Sequence, residues 1–508
     1  MDAIGLQVAA GALRAACEEM GAVLIRAAHS SNIKERRDCS TALFEASGEM
    51  VMQAEHIPVH LGAMPAAVAA VLGEDHEPGV AWVLNDPYKG GTHLPDITVI
   101  TPVFAARGAR PRPSGRPGRR ARAAHELLGF AASRAHHADV GGRVPGSMPA
   151  DSRTLDEEGV VIAPRVLDDA AVEELAKRMR QPAERRADLR AQLAANRVGV
   201  NRLAELVERV GVDGVREAFA AVLDYAERRT RTCLEELEDG DRTATDVLEA
   251  ADADLELAVT ATVAGDELRL RFDAPPQHDG NLNCPLAVTR SAAYFAVRVL
   301  TDPDIPASAG AYRPVTVEAP EGSLLNARPP AAVAAGNVET SSRVADLVLR
   351  AFGRALGQGT MNNLTLGNDR FTYYETLGGG QGACPDADGP SGVHVAMSNT
   401  LNTPVEALEQ TFPLRVVEYA LRPGSGGAGR RRGGDGVVRE VEALDDVTWS
   451  LLTERRRHAP PGADGGEDGE RGRNVVAGAE VGPKATGTLR AGERLRLETP
   501  GGGGHGAR

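Results

Sequence analysis

The sequence between residues 90 and 104 reads GGTHLPDITVITPVF. Its second half, residues 97–104, is a short apolar run rich in β-branched side chains, which is typical of a buried strand. His93 and Asp96 stand directly before this run, beside the rigid ring of Pro95. The stretch therefore predicts a sheet that carries an imidazole and a carboxylate at the end where this strand begins.

A second cluster follows at residues 135–142, which read AHHADVGG. The residues before it are again apolar, and if they form a strand beside the first one, His136 comes close to His93 and Asp96. Zinc and manganese both accept neutral imidazole and carboxylate ligands, so the two clusters indicate a divalent metal site. The alternative is that these side chains cap helices or bond the backbone of loops.

A fourth ligand is expected from residues 53–60, which read QAEHIPVH. Glu55 is the first choice. His56 and His60 are the alternatives. Each of these histidines alone is more often a structural hydrogen-bonding residue than a metal ligand.

Composition limits the functions that this chain can have. Its 508 residues are too many for one hydrophobic core, so several domains are expected. Aromatic residues make up only 4% and the net charge is −14, which weighs against binding to nucleic acid. A membrane-spanning segment is not expected either, because no apolar run approaches the ~20 residues that cross a bilayer.

The N-terminus has no basic region before an apolar stretch, so no signal peptide is visible. The five cysteines are scattered and form no CxxC pair, which favours a reducing compartment over a disulfide framework. We therefore expect a cytoplasmic protein.

Periodicity along the chain predicts a mixed α/β (α+β) fold with several domains. Residues 1–165 are expected to form an N-terminal α/β domain with the metal site, in which the Arg-rich residues 105–124 form a disordered surface insertion. A helical segment follows at 166–240, a mixed β-rich domain at 241–499, and a flexible tail at 500–508. Helical spacing is predicted at 6–28, 63–72, 171–180, 183–210, 212–237, 288–300 and 339–356, and strands at 41–44, 81–84, 97–104, 255–259 and 268–272.

Sites for phosphate or covalent chemistry are not evident. No Gly-Lys-Ser/Thr ending occurs, so a P-loop is excluded, and no Gly-x-Ser-x-Gly elbow is present. Gly424, Gly426 and Gly429 have dinucleotide-fingerprint spacing, but an arginine run follows them where a helix would have to begin.

A set of motifs spread over nearly the whole chain resembles the hydantoinase B / 5-oxoprolinase B family. The motifs are ERRDCS at 35–40, NDPY at 85–88, GTHLPD at 91–96, HHADVGG at 136–142, PGS at 145–147, GNVETSS at 336–342, QGTMNN at 358–363, YET at 374–376, TLNTP at 400–404 and GGAG at 426–429.

The resemblance implies a subunit that works with a hydantoinase A-like ATPase partner in a hetero-oligomer. Such a pair hydrolyses cyclic amides such as hydantoins or 5-oxoproline, with ATP and magnesium on the partner, and related ketone carboxylases use the same kind of pair. The subunit of this type holds a divalent metal, zinc or manganese. Carried over to this sequence, its ligands are Glu55, His93, Asp96 and His136, with Glu55 the loosest match.

Asp139 is predicted to be the general base, if it lies within reach of a water molecule in the site, and Asp38 is the second candidate. The leading hypothesis is therefore an ATP-dependent cyclic amidohydrolase subunit. The alternatives are a ketone carboxylase subunit and, in another class, a non-catalytic assembly subunit whose histidines only cap loops.

Overall fold

A computed structural model describes residues 1–55, 57–106 and 125–508; for Glu55, Ala106 and His125 only the backbone is described. Most of the Arg-rich insertion predicted at 105–124 lies outside these residues. The described chain combines α-helices with four β-sheets, so the predicted α+β class is confirmed.

The α-helices and β-strands are numbered in chain order. The helices are α1 (Ala3–Ala27), α2 (Ser31–Lys34), α3 (Ala63–Ala69), α4 (Leu155–Glu158), α5 (Asp169–Arg178), α6 (Pro182–Glu235), α7 (Leu286–Leu300), α8 (Ser341–Ala351) and α9 (Val405–Thr411). The strands of the first sheet are β1 (Cys39–Glu45), β2 (Met50–Glu55), β3 (Trp82–Leu84), β4 (Asp96–Ala106), β5 (His125–His136) and β6 (Arg165–Val166).

Thirteen further strands are described after residue 240. They are β7 (Gly240–Glu249), β8 (Asp254–Ala264), β9 (Glu267–Asp273), β10 (Val315–Glu318), β11 (Asn363–Gly367), β12 (Thr372–Glu375), β13 (Leu414–Arg422), β14 (Gly436–Ala443), β15 (Val447–Leu452), β16 (Arg473–Val476), β17 (Ala479–Val481), β18 (Lys484–Leu489) and β19 (Arg494–Glu498). The helices and strands predicted from periodicity are therefore present, with ends that differ by a few residues.

The first sheet has the strand order β2-β1-β5-β4-β3-β6 and is covered by helices on both faces. Side chains alternate between the faces, as they do in any strand. In β1, Leu43 joins the core formed with α1 and α6, whereas Phe44 joins the core formed with α3. A strand buried on both faces reads as a continuous apolar run, which is why residues 97–104 predicted β4.

The long helix α6 is interrupted at Gly211, whose backbone has φ 76° and ψ 166°. This residue divides the helix where the sequence predicted a break between 210 and 212. Gln192, in the first half, donates from Nε2 to the carbonyl of Ile97 at 2.9 Å and to that of Ser133 at 3.2 Å. The helix is thereby bonded to both β4 and β5 close to the ends that carry the predicted ligands.

The remaining strands form three sheets, with the orders β10-β9-β8-β7, β12-β11-β15-β18 and β13-β14-β19-β16-β17. The change of periodicity near residue 240 is confirmed, because α6 ends at Glu235 and β7 begins at Gly240. A core built mainly on β8, β9, α7 and α8 also contains Ile57, Val59 and Met148. The N-terminal part thus packs directly against the later sheets, and the division into four domains stays a prediction.

The C-terminal tail differs from the prediction. Residues 500–506 are buried, and the amides of Gly501, Gly502 and Gly503 donate to the carbonyls of other chain segments at 2.8 to 3.1 Å. A Cβ at Gly502 would lie 2.0 Å from the carbonyl oxygen of Gln381, so only glycine permits this approach. The predicted fraying was therefore wrong for these residues, because the glycines serve backbone packing and only Ala507 and Arg508 are exposed.

Candidate metal centre

Two neighbouring strands bring the predicted ligands together. Strands β4 and β5 are antiparallel, and their register places Asp96, the first residue of β4, opposite His136, the last residue of β5. His93 lies in the turn just before β4, where its carbonyl accepts a hydrogen bond from the Asp96 amide at 3.1 Å. The expected pairing of these strands is confirmed, and it joins residues 40 positions apart at one end of the sheet.

The three side chains form a compact cluster. His93 Nε2 lies 3.2 Å from Asp96 Oδ1, and His136 Nδ1 lies 3.3 Å from the same oxygen. One ligand atom from each of the three residues lies within 4.8 Å of the other two. Ligands that hold zinc tetrahedrally at ~2.0–2.1 Å are separated by about 3.3 Å, so these spacings fit a cation bound among them.

Burial sets the charges of the cluster. Burial alone would raise the pKa of Asp96. The imidazoles of His93, His136 and His60 have the larger, opposite effect and hold that pKa well below its usual range. Burial lowers the pKa of His136 to about 4 and also lowers the pKa of His60. At neutral pH these two imidazoles are therefore neutral beside an ionised carboxylate, which is the protonation state that metal binding requires.

Two residues are candidates for the fourth ligand, His60 and Glu55, and only the side chain of His60 is described. His60 Nε2 lies 3.5 Å from Asp96 Oδ2, and His60 Nδ1 shares a hydrogen bond of 2.9 Å with Ser40 Oγ. Glu55 is the last residue of β2 and pairs with Ser40 in the register of β1. Its side chain and the whole of His56 lie outside the described residues, so Glu55 stays a prediction, and His60 is the candidate that is seen near the cluster.

The cluster opens onto a small cavity of about 20 Å³, which is room for an ion or one water molecule. Its other lining residues come from segments far apart in the sequence. They are Asp38, Ile57, Val59, His60, Asn337, Val338, Met361, Tyr374, Thr376, Ser398 and Thr400.

Tyr374 fixes one side of the cluster. Its ring stacks on that of His136, with centroids 4.5 Å apart and an angle of 17° between the planes. The guanidinium carbon of Arg36 lies 4.7 Å from the centroid of the same tyrosine ring. Thr92 Oγ1 donates to Asp96 Oδ2 at 2.7 Å. These contacts hold a candidate ligand in orientation, as the outer neighbours of metal ligands generally do.

Asp38 lines the cavity, and Asp139 does not. Burial and, to a smaller extent, the nearby Asp96 raise the pKa of the Asp38 carboxyl and Arg36 lowers it, so that the pKa is about 7. No hydrogen bond to the Asp38 carboxylate is found within the described chain. A buried acid with a pKa near neutrality, in a cavity beside a candidate metal-binding cluster, is well suited to general acid–base chemistry.

Asp139 instead organises its own loop. Its carboxylate accepts hydrogen bonds from the amides of Gly141 and Gly146, both at 2.7 Å, and pairs with Arg180 at 3.0 Å. Ser147 Oγ also donates to it, at 3.1 Å. The carboxylate is thus bonded within its own loop and does not line the cavity, so its position does not support the prediction of Asp139 as the general base.

Several cavity residues had no role predicted from the sequence, among them Asn337, Thr376 and Thr400. Thr376 and Thr400 lie in irregular segments, and Asn337 lies in a π-helical turn (Gly336–Thr340) just before α8. The Asn337 side chain is 2% exposed and its Oδ1 has no hydrogen-bond partner. Their segments belong to motifs that carry the family resemblance, which was the only signal available for them.

The comparisons with known proteins agree with that resemblance. The hydantoinase B/oxoprolinase family model matches residues 2–508. The chain belongs to this family. A 5-oxoprolinase of Arabidopsis thaliana, 5-oxoprolinase 1, is 40% identical over 96% of this chain, and the B-type subunit of a putative D-/L-hydantoinase from a Pseudomonas species is 30% identical over 92%.

This chain has the same fold as the solved structure of an ATP-dependent caprolactamase from Pseudomonas jessenii. The TM-score is 0.90 at 28% identity, over 100% of this chain and 91% of that one. The chain spans 40% of the length of the plant 5-oxoprolinase but 83% of the length of the Pseudomonas hydantoinase chain.

Within the described ranges of the chain, no helix is both long enough and apolar enough to traverse a lipid bilayer.

Proposed function

We propose that this chain is the catalytic B-type subunit of an ATP-dependent cyclic amidohydrolase that opens a hydantoin or 5-oxoproline ring. The observation that carries the proposal is the buried cluster of His93, Asp96 and His136 at one end of the first sheet. The names of the family members and the caprolactamase support the reaction class.

A divalent cation, zinc or manganese, fits the donors of this cluster. Two imidazoles and a carboxylate oxygen are ligands for either metal, and His60 or Glu55 would complete the set. When bound, the cation would polarise the carbonyl of the ring amide. The protein itself contributes the orientation of His136 by Tyr374 and of Asp96 by Thr92.

The reaction adds water to an amide carbonyl and breaks the ring C–N bond. Asp38 is the group that we assign to accept a proton from the attacking water and to return it to the leaving ring nitrogen. The cavity in this structure is too small for a ring, so substrate entry requires its wall to move. The irregular residues 394–404 contribute Ser398 and Thr400 to this wall and contain no helix or strand.

We assign ATP and its magnesium to a hydantoinase A-like partner. An unstrained amide is a poor electrophile, so opening of the ring would be coupled to ATP hydrolysis on that partner. This chain has no Gly-Lys-Ser/Thr ending for a phosphate-binding loop. A hetero-oligomer in the cytoplasm is therefore part of the proposal, and the five free cysteines agree with a reducing compartment.

Turnover by the reconstituted enzyme tests this function. The chain and its ATPase partner would be supplied with ATP and 5-oxoproline, a hydantoin, or acetone with bicarbonate, and ring-opened product and ADP would be measured. Ring opening that requires ATP supports the proposal. Consumption of acetone and bicarbonate alone would establish the carboxylase instead. A metal-free chain whose activity survives His93→Ala would establish a non-catalytic assembly subunit.

Asp38→Asn is expected to lower kcat by about 10²-fold, because a positioned proton acceptor contributes at least that much to such reactions. Metal content should stay the same, since Asp38 is outside the cluster of candidate ligands. Steady-state kinetics with metal analysis of the same sample would measure both.

Asp139→Asn is the comparison for this variant. It should lower the thermal midpoint, because Arg180 loses its charged partner, while kcat per folded molecule changes little. Equal losses of kcat in the two variants would argue against Asp38 as the proton acceptor.

A further inference from the structure

A pair of threonine hydroxyls forms another polar part of the cavity wall. Thr376 and Thr400 are 2% and 5% exposed, both line the cavity, and their Oγ1 atoms are 2.5 Å apart. Arg36 Nη2 donates to Thr376 Oγ1 at 2.9 Å and to Thr400 Oγ1 at 3.2 Å. One arginine nitrogen thus bonds both hydroxyls, which belong to segments 24 residues apart.

The hydrogen atoms of this group can be counted. A guanidinium donates and cannot accept, so both hydroxyl oxygens are acceptors toward Arg36. The short contact between them uses one hydroxyl proton, whichever threonine supplies it. The other hydroxyl keeps its own proton, and no acceptor for that proton is found among the described residues. Because both threonines line the cavity, this remaining proton is available to a group bound there.

Arg36 adds a positive charge behind the two hydroxyls. Its side chain is fully buried, and Nη1 donates to the carbonyl of Tyr374 at 2.8 Å. Within the described chain it forms no ion pair with any carboxylate, although Asp38 lines the same cavity. A buried cation that forms no ion pair is costly, and its field favours negative charge that forms nearby.

We infer that the Thr376–Thr400 pair donates a hydrogen bond to the carbonyl oxygen of the ring amide, with Arg36 as the residue that positions the pair. This inference rests on the proposed function. Attack by water oxygen on the carbonyl carbon moves the π electron pair of the C=O bond onto that oxygen. When the pair returns, the C=O bond re-forms, the C–N bond breaks, and the nitrogen leaves with a proton. The hydroxyl therefore donates its hydrogen bond to the carbonyl oxygen at the stage when that oxygen carries the most negative charge.

Thr400→Val in the chain assembled with its ATPase partner tests the inference, since valine keeps the shape and removes the hydroxyl. Loss of one such donor typically costs 10²–10³-fold in rate, so we expect kcat to fall by about 10²-fold with KM little changed. Thr376→Val should lower kcat by a similar factor. The double variant should be scarcely worse than either single variant, because the pair offers one proton to the substrate.

Thr403→Val is the matched control. Thr403 lies in the same irregular segment and is 3% exposed, its Oγ1 has no hydrogen-bond partner, and it does not line the cavity. It should keep the wild-type kcat. Arg36→Lys retains the charge but cannot hold both hydroxyls in the same way, so its loss of kcat should overlap with that of Thr400→Val and not add to it.

The outcomes separate this inference from the function on which it rests. A wild-type enzyme that opens no ring overturns the proposed function itself. A wild-type enzyme that opens the ring while Thr400→Val keeps its kcat, raises only KM, or loses metal overturns the role of the hydroxyl pair alone. Equal losses of kcat in Thr400→Val and Thr403→Val would also overturn it, because they would show that substitution anywhere in this irregular segment disturbs the enzyme.

Discussion

Replacing Asp96 with asparagine is expected to remove the bound divalent cation and, with it, ring opening. The Asp96 carboxylate contacts His93 and His136 through one oxygen and His60 through the other, so no other side chain of the cluster touches as many candidate ligands. Asparagine keeps the shape but loses the charge that pairs with a dication. Metal per chain would be measured by elemental analysis after gel filtration, and turnover with ATP and partner present.

The size of the expected loss of metal affinity and activity can be estimated from substitutions that have smaller effects. Substitution of a residue that only supports a metal ligand typically costs 10–100-fold in affinity or activity, so loss of a ligand itself should cost at least about 10³-fold. His136→Ala should give the same result. The folded chain should persist, since the strands β4 and β5 are held by their backbone ladder over many residues beyond the site.

His76→Ala is the control for loss of a histidine. His76 lies against the rings of Trp82 and Phe130 in the same N-terminal part and has no place in the cavity lining. It should retain metal and activity. A full complement of metal in both Asp96→Asn and His136→Ala would contradict the assignment of the centre, whatever the effect on turnover.

The cluster of candidate metal ligands could be predicted because its residues adjoin strands with strong signals. The apolar run at 97–104 indicated β4, and the apolar residues before His136 indicated β5, so only their pairing had to be assumed. The place of His60 near the cluster was harder to predict, since nothing in the sequence ranks it above Glu55 or His56. The register of β4 and β5, with Asp96 opposite His136, is a tertiary fact that periodicity cannot supply.

The structure departs from the expectations where local sequence was ambiguous. Asp139 stands three residues from His136, yet the loop that follows β5 turns its carboxylate toward Gly141 and Gly146. The glycines at the C-terminus suggested flexibility, whereas they permit close backbone packing. Thr376 and Thr400 are more than 330 residues from Arg36 in the chain, so only the folded structure brings them together.

Buried charge in the C-terminal half leads to the second prediction, which concerns stability. Arg343 on α8 is fully buried, and its Nη1 lies 3.0 Å from Asp246 of β7 and 2.9 Å from Asp346. Its Nη2 lies 3.2 Å from Glu454, in the segment after β15. Arg455 contacts the same two aspartates, at 2.7 and 2.9 Å. One cationic side chain thus joins a helix, a strand and a loop from three parts of the sequence.

Arg343→Met should lower the free energy of unfolding by about 3–5 kcal/mol, because the buried carboxylates of Asp246, Asp346 and Glu454 lose one of the cations that compensate their charge. Urea unfolding followed by circular dichroism would measure the change. Arg350→Met is the matched control, since Arg350 lies on the same helix but is exposed, and among the described residues its side chain bonds only the carbonyl of Thr245. Its effect should be about 0.5 kcal/mol or less. Equal effects of the two variants would contradict an ionic role for Arg343.

The loss caused by Arg343→Met should also depend on pH, and its sign follows from Asp346. Burial raises the pKa of this carboxyl to about 7, while Arg343 counteracts the rise. Since the folded pKa lies above the unfolded one, Asp346 destabilises the fold increasingly as pH rises from about 4 to 7. Without Arg343 the folded pKa rises further, so the destabilisation continues to a higher pH. The difference in unfolding free energy between wild type and Arg343→Met should therefore be larger at pH 8 than at pH 5, where the carboxyl is mostly neutral in the folded state. A difference that is the same at both pH values would show that the methionine acts through packing alone.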